Sequence, residues 1–101
     1  MTDMEHPTRD EIELHAVLHA LSDPVRLGMV RELADAGECA CRALHVPVTK
    51  STATHHFKVL RDAGLIQQRR QGTARINSLR ADDLEARFPG LLSTILAAGR
   101  T

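Results

Sequence analysis

The sequence has no tryptophan, no tyrosine and only two phenylalanines. A stacking platform for single-stranded nucleic acid needs several exposed rings, so that function class is excluded. Only two cysteines occur, Cys39 and Cys41, one residue apart. A bridge across one residue is strained and staples little of a small fold, so free thiols in a reducing compartment are expected. No apolar run approaches the roughly 18 residues of a membrane span, and no membrane partner is expected. The first residues, MTDMEHPTRDE, are acidic and carry no apolar h-region. That is no secretory signal, and a cytoplasmic location is the expectation. A C-x-x-C motif, a phosphate-binding glycine loop and a Ser-His-Asp order are also missing, which argues against an enzyme such as a small thiol reductase.

What remains is a chain of 101 residues, 43% hydrophobic and 26% charged, enough for one globular domain, here read as 1–101. So small a domain buries only about 60–65% of its unfolded surface, so a partner chain is expected to help stabilise it. The formal net charge of zero conceals a strong asymmetry. Residues 1–41 hold three Arg/Lys against nine Asp/Glu, whereas residues 42–80 hold eight against Asp62 alone. A block with a net charge of +7 attracts a polyanion whatever the overall balance, and nucleic acid is the leading partner class.

Local signals give the order α-α-α-α-β-β-α-α. Thr8 and Glu11 have capping-box spacing, which predicts a first helix from about residue 9 to residue 21. Asp23 caps and Pro24 opens a second helix, which Gly37 stops. Residues 39–45 read as a short third helix, broken at Val46-Pro47-Val48. Thr49 caps a fourth over 50–63, ended by Gly64. Two strands follow, about Leu65–Arg69 and Ala74–Leu79, with a turn at Gln71-Gly72. Helical segments near 82–88 and after Pro89 complete the chain. The fold class is therefore mainly α with a small β-hairpin wing. It is a winged helix-turn-helix with the helix-turn-helix at about 39–63, the wing at about 65–79 and dimerisation helices at about 9–21 and 82–98. Ile12, Leu14, Val17, Leu18, Leu91, Leu92, Ile95 and Leu96 give the end helices more apolar surface than one small chain covers. A homodimer through the first and last helices is expected.

The fourth helix has two faces. Ala53, Phe57, Leu60 and Ala63 form an apolar stripe; Ser51, Thr54, His55, Lys58 and Arg61 lie opposite. In a helix-turn-helix the N-terminal residues of the second helix meet the major groove. Lys50, Ser51 and Thr52 in the first turn suit phosphate, and Thr54, His55 and Lys58 are placed to reach base edges. His56 borders the apolar stripe and is read as a core-edge histidine with a backbone partner. At the wing Arg70 and Arg75 flank the turn and are favoured over Arg69 as backbone or minor-groove contacts. The competing class is a winged-helix module that binds protein or structured RNA without operator specificity.

The stretches Ala20-Leu21-Ser22-Asp23-Pro24-Val25-Arg26 and Lys50-Ser51-Thr52-Ala53-Thr54-His55-His56-Phe57-Lys58-Val59-Leu60-Arg61-Asp62-Ala63-Gly64-Leu65 resemble the ArsR/SmtB family of bacterial winged-helix repressors. The resemblance covers roughly residues 12–80. It implies a homodimer on double-stranded DNA carrying an imperfect inverted repeat, with repression relieved by an effector. It also implies that Ser51, Thr52, Thr54 and His55 contact the operator.

Glu38-Cys39-Ala40-Cys41 falls where arsenic-, cadmium- and lead-type members of that family carry a Cys-x-Cys motif. Here the spacing from Cys41 to the His55-His56 pair is one residue shorter, Arg42 replaces the usual acid, and no third cysteine exists. Three readings of Cys39 and Cys41 stand open. They are small packing residues, a soft metal or metalloid site, or oxidisable thiols whose pKa Arg42 would lower. His15 and His19, four apart on one helix face below Glu11, form a weaker metal candidate, since a polar helix stripe is expected there anyway. No histidine follows His56, so the zinc-type site of the family's last helix is absent.

Overall fold

The computed structural model describes residues 5–98. Five α-helices, a three-stranded antiparallel sheet and two single 3-10 turns surround one core. The helices are α1 (Leu14–Leu21), α2 (Pro24–Ala36), α3 (Lys50–Asp62), α4 (Ala81–Arg87) and α5 (Leu91–Ala97). The strands are β1 (Glu38–Ala40), β2 (Ile66–Gln71) and β3 (Ala74–Leu79), in spatial order β1-β3-β2. The fold class is the one read from the sequence.

Cap chemistry sets the helix starts. Asp23 accepts the backbone N–H groups of Val25 (2.8 Å) and Arg26 (3.1 Å), and Pro24 fills the first helical position of α2. The hydroxyl of Thr49 accepts from Thr52 N–H at 3.4 Å and begins α3. The apolar stripes of α1, α2 and α3 then meet in a core that includes Val17, Ala20, Met29, Val30, Leu33, Phe57, Leu60 and Leu65.

The first helix does not run from residue 9. Thr8 N–H does donate to the Glu11 carboxylate at 2.8 Å, but the turn it caps, Arg9–Glu11, is a lone 3-10 turn. The chain extends at Ile12, and α1 starts at Leu14. The cause is tertiary. Ile12 is turned inward, 1% exposed, against Gly64, where a Cβ would lie 2.5 Å from its side chain. Gly64 holds φ +87°, so the residue that ends α3 also makes the socket for Ile12.

Residues 39–45 are not a helix either. Glu38–Ala40 is the edge strand β1, paired with Ser78, Asn77 and Ile76 of β3, and Cys41–Ala43 is a single 3-10 turn. The free edge of β3 competes for these backbone groups. A segment of three residues between Gly37 and the turn lacks the length that nucleates a helix. The wing hairpin keeps its place with a shifted tip. Its two-residue turn is Gly72-Thr73, closed by the Gln71–Ala74 pair, with positive φ only at Gly72. That is the type II′ pattern, which matches the strand twist.

Candidate nucleic-acid interface

On α3 the first turn and the outward stripe coincide. Lys50, Ser51, Thr52, Thr54, His55 and Lys58 are all exposed, while His56, Phe57 and Leu60 are buried. Six of the eight residues singled out for DNA therefore share one surface on one helix. The helix N-terminus adds its partial positive charge at the Lys50 end. Four of these side chains are engaged in the free protein: Thr49 Oγ1 donates to Thr52 Oγ1 at 3.0 Å and lies 3.4 Å from Ser51 Oγ, and Thr54 and Lys58 have partners of their own. Thr54 Oγ1 donates to Lys50 O at 3.0 Å, so its proton is spent and its methyl and lone pairs remain for a base edge. Lys58 Nζ donates to Asp62 at 2.7 Å. Any nucleic-acid group approaching Lys58 would have to displace that carboxylate, a competitor that the sequence reading did not identify.

At the wing, Arg70 and Arg75 are exposed and stand opposite each other in the β2–β3 register. Among the described residues neither side chain has a hydrogen-bond or ion-pair partner. Like charges directly opposed across strands repel, and an anion bridging them would relieve the repulsion. Arg69 is different. It grips Glu38 of β1 through two bonds, 2.6 and 3.1 Å, and holds that carboxyl below its ordinary pKa. Arg69 is thus committed to Glu38, whereas the side chains of Arg70 and Arg75 are not.

Behind the exposed stripe, His56 is buried, but its partner is a side chain and not the backbone. Arg26, 7% exposed, places Nη1 3.1 Å from His56 Nδ1 and donates from Nε to Ala20 O at 2.8 Å. A guanidinium has only donors, so Nδ1 accepts and the ring proton sits on Nε2. Arg26 thereby ties the last carbonyls of α1 to the middle of α3. The Asp-Pro-x-Arg and His-His motifs are two ends of this contact. A second buried network anchors the sheet to α3. Gln68 Nε2 donates to Asn77 Oδ1 (2.7 Å), and Arg61 Nη1 donates to Gln68 Oε1 (2.7 Å). Its signal in the sequence is faint: two amides at inward positions of alternating strands.

Both cysteines are free and half-buried, Cys39 in β1 and Cys41 in the following turn. Cys41 Sγ accepts from Asn77 Nδ2 at 3.1 Å, and the same amide group donates to Cys39 O at 3.2 Å. Burial pushes the Cys39 thiol up, with Glu32 and Cys41 adding to it. Arg42 is not among the groups that shift the Cys39 thiol. His15 and His19 are exposed on α1. Among the described residues no group of three or more His, Cys, Asp or Glu side chains is arranged to hold a metal ion, and none of the helices is long and apolar enough to cross a membrane.

Comparison with known proteins agrees with this geometry. A family model described as a helix-turn-helix domain matches residues 21–69. An uncharacterized HTH-type transcriptional regulator of Bacillus subtilis (strain 168), YceK, is 38% identical over 82 residues, covering 78% of this chain and 82% of its own length. The arsenical resistance operon repressor of Staphylococcus xylosus is 37% identical over 75 residues, covering 72% and 71%. The crystal structure of an ArsR family transcriptional regulator superimposes with a TM-score of 0.67 at 24% identity, over 80% of this chain and 90% of that one. From sequence relatives, fold and an exposed polar helix together, the chain belongs to the ArsR family of winged-helix transcriptional regulators, DNA-binding proteins and not enzymes.

Proposed function

We propose that the chain represses transcription as a homodimer bound to an inverted-repeat operator in the cytoplasm, with α3 in the major groove and the wing on the backbone or minor groove. The carrying observation is the single exposed surface formed by Ser51, Thr54, His55 and Lys58, with the unpaired Arg70–Arg75 couple at the wing. Lys50, Ser51 and Thr52 take phosphate; Thr54, His55 and Lys58 reach base edges; Arg70 and Arg75 contact the backbone or minor groove. Dimerisation is supported by α1, which leaves Leu14 and Leu18 each 45% exposed. The half-buried Leu91, Ile95 and Leu96 of α5 add apolar surface. A two-fold protein would set its two α3 helices about 34 Å apart, one turn of duplex. In this reading the described residues form one domain, with α3 as its recognition helix and the β2–β3 hairpin as its wing.

For Cys39 and Cys41 the packing role has the firmest support, because Cys41 Sγ accepts an amide donor and the Cys39 thiol is raised. Derepression by a soft metal, a metalloid or a thiol oxidant would act through this pair, with His15 and His19 as the weaker metal candidate. The test is fluorescence anisotropy on the duplex upstream of the chain's own gene against a scrambled duplex. As(III), Cd(II), Zn(II), Ni(II) and peroxide are then added in turn. The reading expects a preference of about 10³ or more. A preference below about tenfold would instead identify a winged-helix module without operator specificity.

A further inference from the structure

Between α3 and the wing lies a cavity of about 710 Å³, within the roughly 300–1,000 Å³ of small-molecule sites. Leu44, Val46, Ala53 and Phe57 give it an apolar lining. Arg42, Lys50, Lys58, Arg61 and Arg75 surround that lining, and no aspartate or glutamate is among the lining residues. Arg61 is fixed in place by its 2.7 Å bond to Gln68, which is 1% exposed, so at least one cation is preorganised.

A phosphodiester would engage the cations, but a hydrated phosphate gains nothing from leucine, valine and phenylalanine behind them. A wholly apolar guest would cover the lining and add no counter-charge to the cations around it, of which, among the described residues, only Lys58 and Arg61 already lie beside a carboxylate, that of Asp62. The occupant that answers both is a small organic anion, with a ring or short chain for the apolar wall and one carboxylate or sulfonate for the cations.

We propose that this cleft binds a small amphipathic organic anion and that such a guest and duplex DNA exclude each other. The exclusion rests on the DNA reading above, because Lys50, Thr54, Lys58 and Arg75 line the cleft and also belong to the DNA surface. Coupling of this kind is reciprocal: the factor by which the anion weakens DNA is the factor by which DNA weakens the anion.

The probe is 1-anilinonaphthalene-8-sulfonate, with N-phenyl-1-naphthylamine as the same apolar body without charge. The full chain has no tryptophan or tyrosine, so their fluorescence is read without protein background. The sulfonate is expected to bind saturably, one per chain, at least tenfold tighter than the neutral amine. Excess own-upstream duplex is expected to displace it. Val46→Glu, which puts a carboxylate on the apolar wall, weakens the probe at least fivefold, and the exposed Arg42→Ser weakens it about threefold. Circular dichroism confirms that both variants are folded. Equal binding of the two dyes, or wild-type binding by both variants, overturns the site. Sulfonate fluorescence unchanged under saturating duplex overturns the exclusion. Duplex binding is measured first without dye, so a failure of the DNA reading shows there and removes the exclusion with it. The dye comparison still decides the site.

Discussion

Replacing Arg26 by leucine tests the link between α1 and α3. The substitution keeps much of the aliphatic volume and removes every donor. His19 O keeps its bonds from Ser22 N (3.2 Å) and Ser22 Oγ (2.6 Å), so its 3.5 Å contact with Arg26 is a minor loss. Ala20 O and His56 Nδ1 are the acceptors that Arg26 satisfies at 2.8 and 3.1 Å. A buried acceptor left unpaired costs about 1–3 kcal/mol. Two of them predict a loss of about 2–6 kcal/mol, a large part of the roughly 5–15 kcal/mol that holds a domain folded. The midpoint of thermal unfolding should fall on the order of 10–30 °C. Urea unfolding is the assay, with a lower midpoint and unchanged slope expected. Arg26→Lys, with one point charge for a two-sided fork, should lie between. His56→Ala on top of Arg26→Leu should cost about 1–2 kcal/mol less than the sum of the single changes. A loss below about 0.5 kcal/mol for Arg26→Leu, with additive behaviour, would refute the reasoning.

Thr54→Ala and His55→Ala should each cost about 1–3 kcal/mol on the cognate duplex and relax base preference, read by anisotropy on single-base variants. Arg75→Ala should weaken all duplexes alike and reduce the slope of log K against log salt by about one; a sequence-selective loss would contradict its phosphate role. Asp62→Asn frees Lys58 from its 2.7 Å partner and should tighten duplex binding a few-fold, since an exposed pair of this kind is worth about 0.2–1 kcal/mol. Arg9, with Arg80, holds the Asp83 carboxyl below its ordinary value. A depressed folded pKa contributes stability above the unfolded value near 3.9 and loses it as pH falls through the folded value. Melting curves between pH 5 and 2.5 should therefore show a shallower acid decline for Asp83→Asn than for the wild type.

The parts of the fold legible in the sequence are those that local chemistry decides. Asp23-Pro24 and Thr49 announce their helices because caps act within four residues, and Gly64 stops α3 through its own positive φ. The exposed polar stripe of α3 was legible because a 3.6-residue period separates Ser51, Thr54 and His55 from Phe57 and Leu60. What was not legible depends on distant partners. Ile12 breaks the first helix because its socket is at Gly64. Cys39 becomes a strand residue because Asn77 offers it a ladder. The partner of His56 was misassigned because Arg26, thirty residues away, reaches it through the fold. The Lys58–Asp62 pair, by contrast, has the ordinary four-residue helix spacing and could have been read.

The most direct measurement is an amide NMR titration of the chain with its operator duplex. If the polar side of α3 and the wing lie along DNA, the largest shift changes will cluster at residues 50–58 and 70–75. The amides of α2 and of β1 should move little. Changes concentrated on α1 and α5, with 50–58 and 70–75 left in place, would contradict the account.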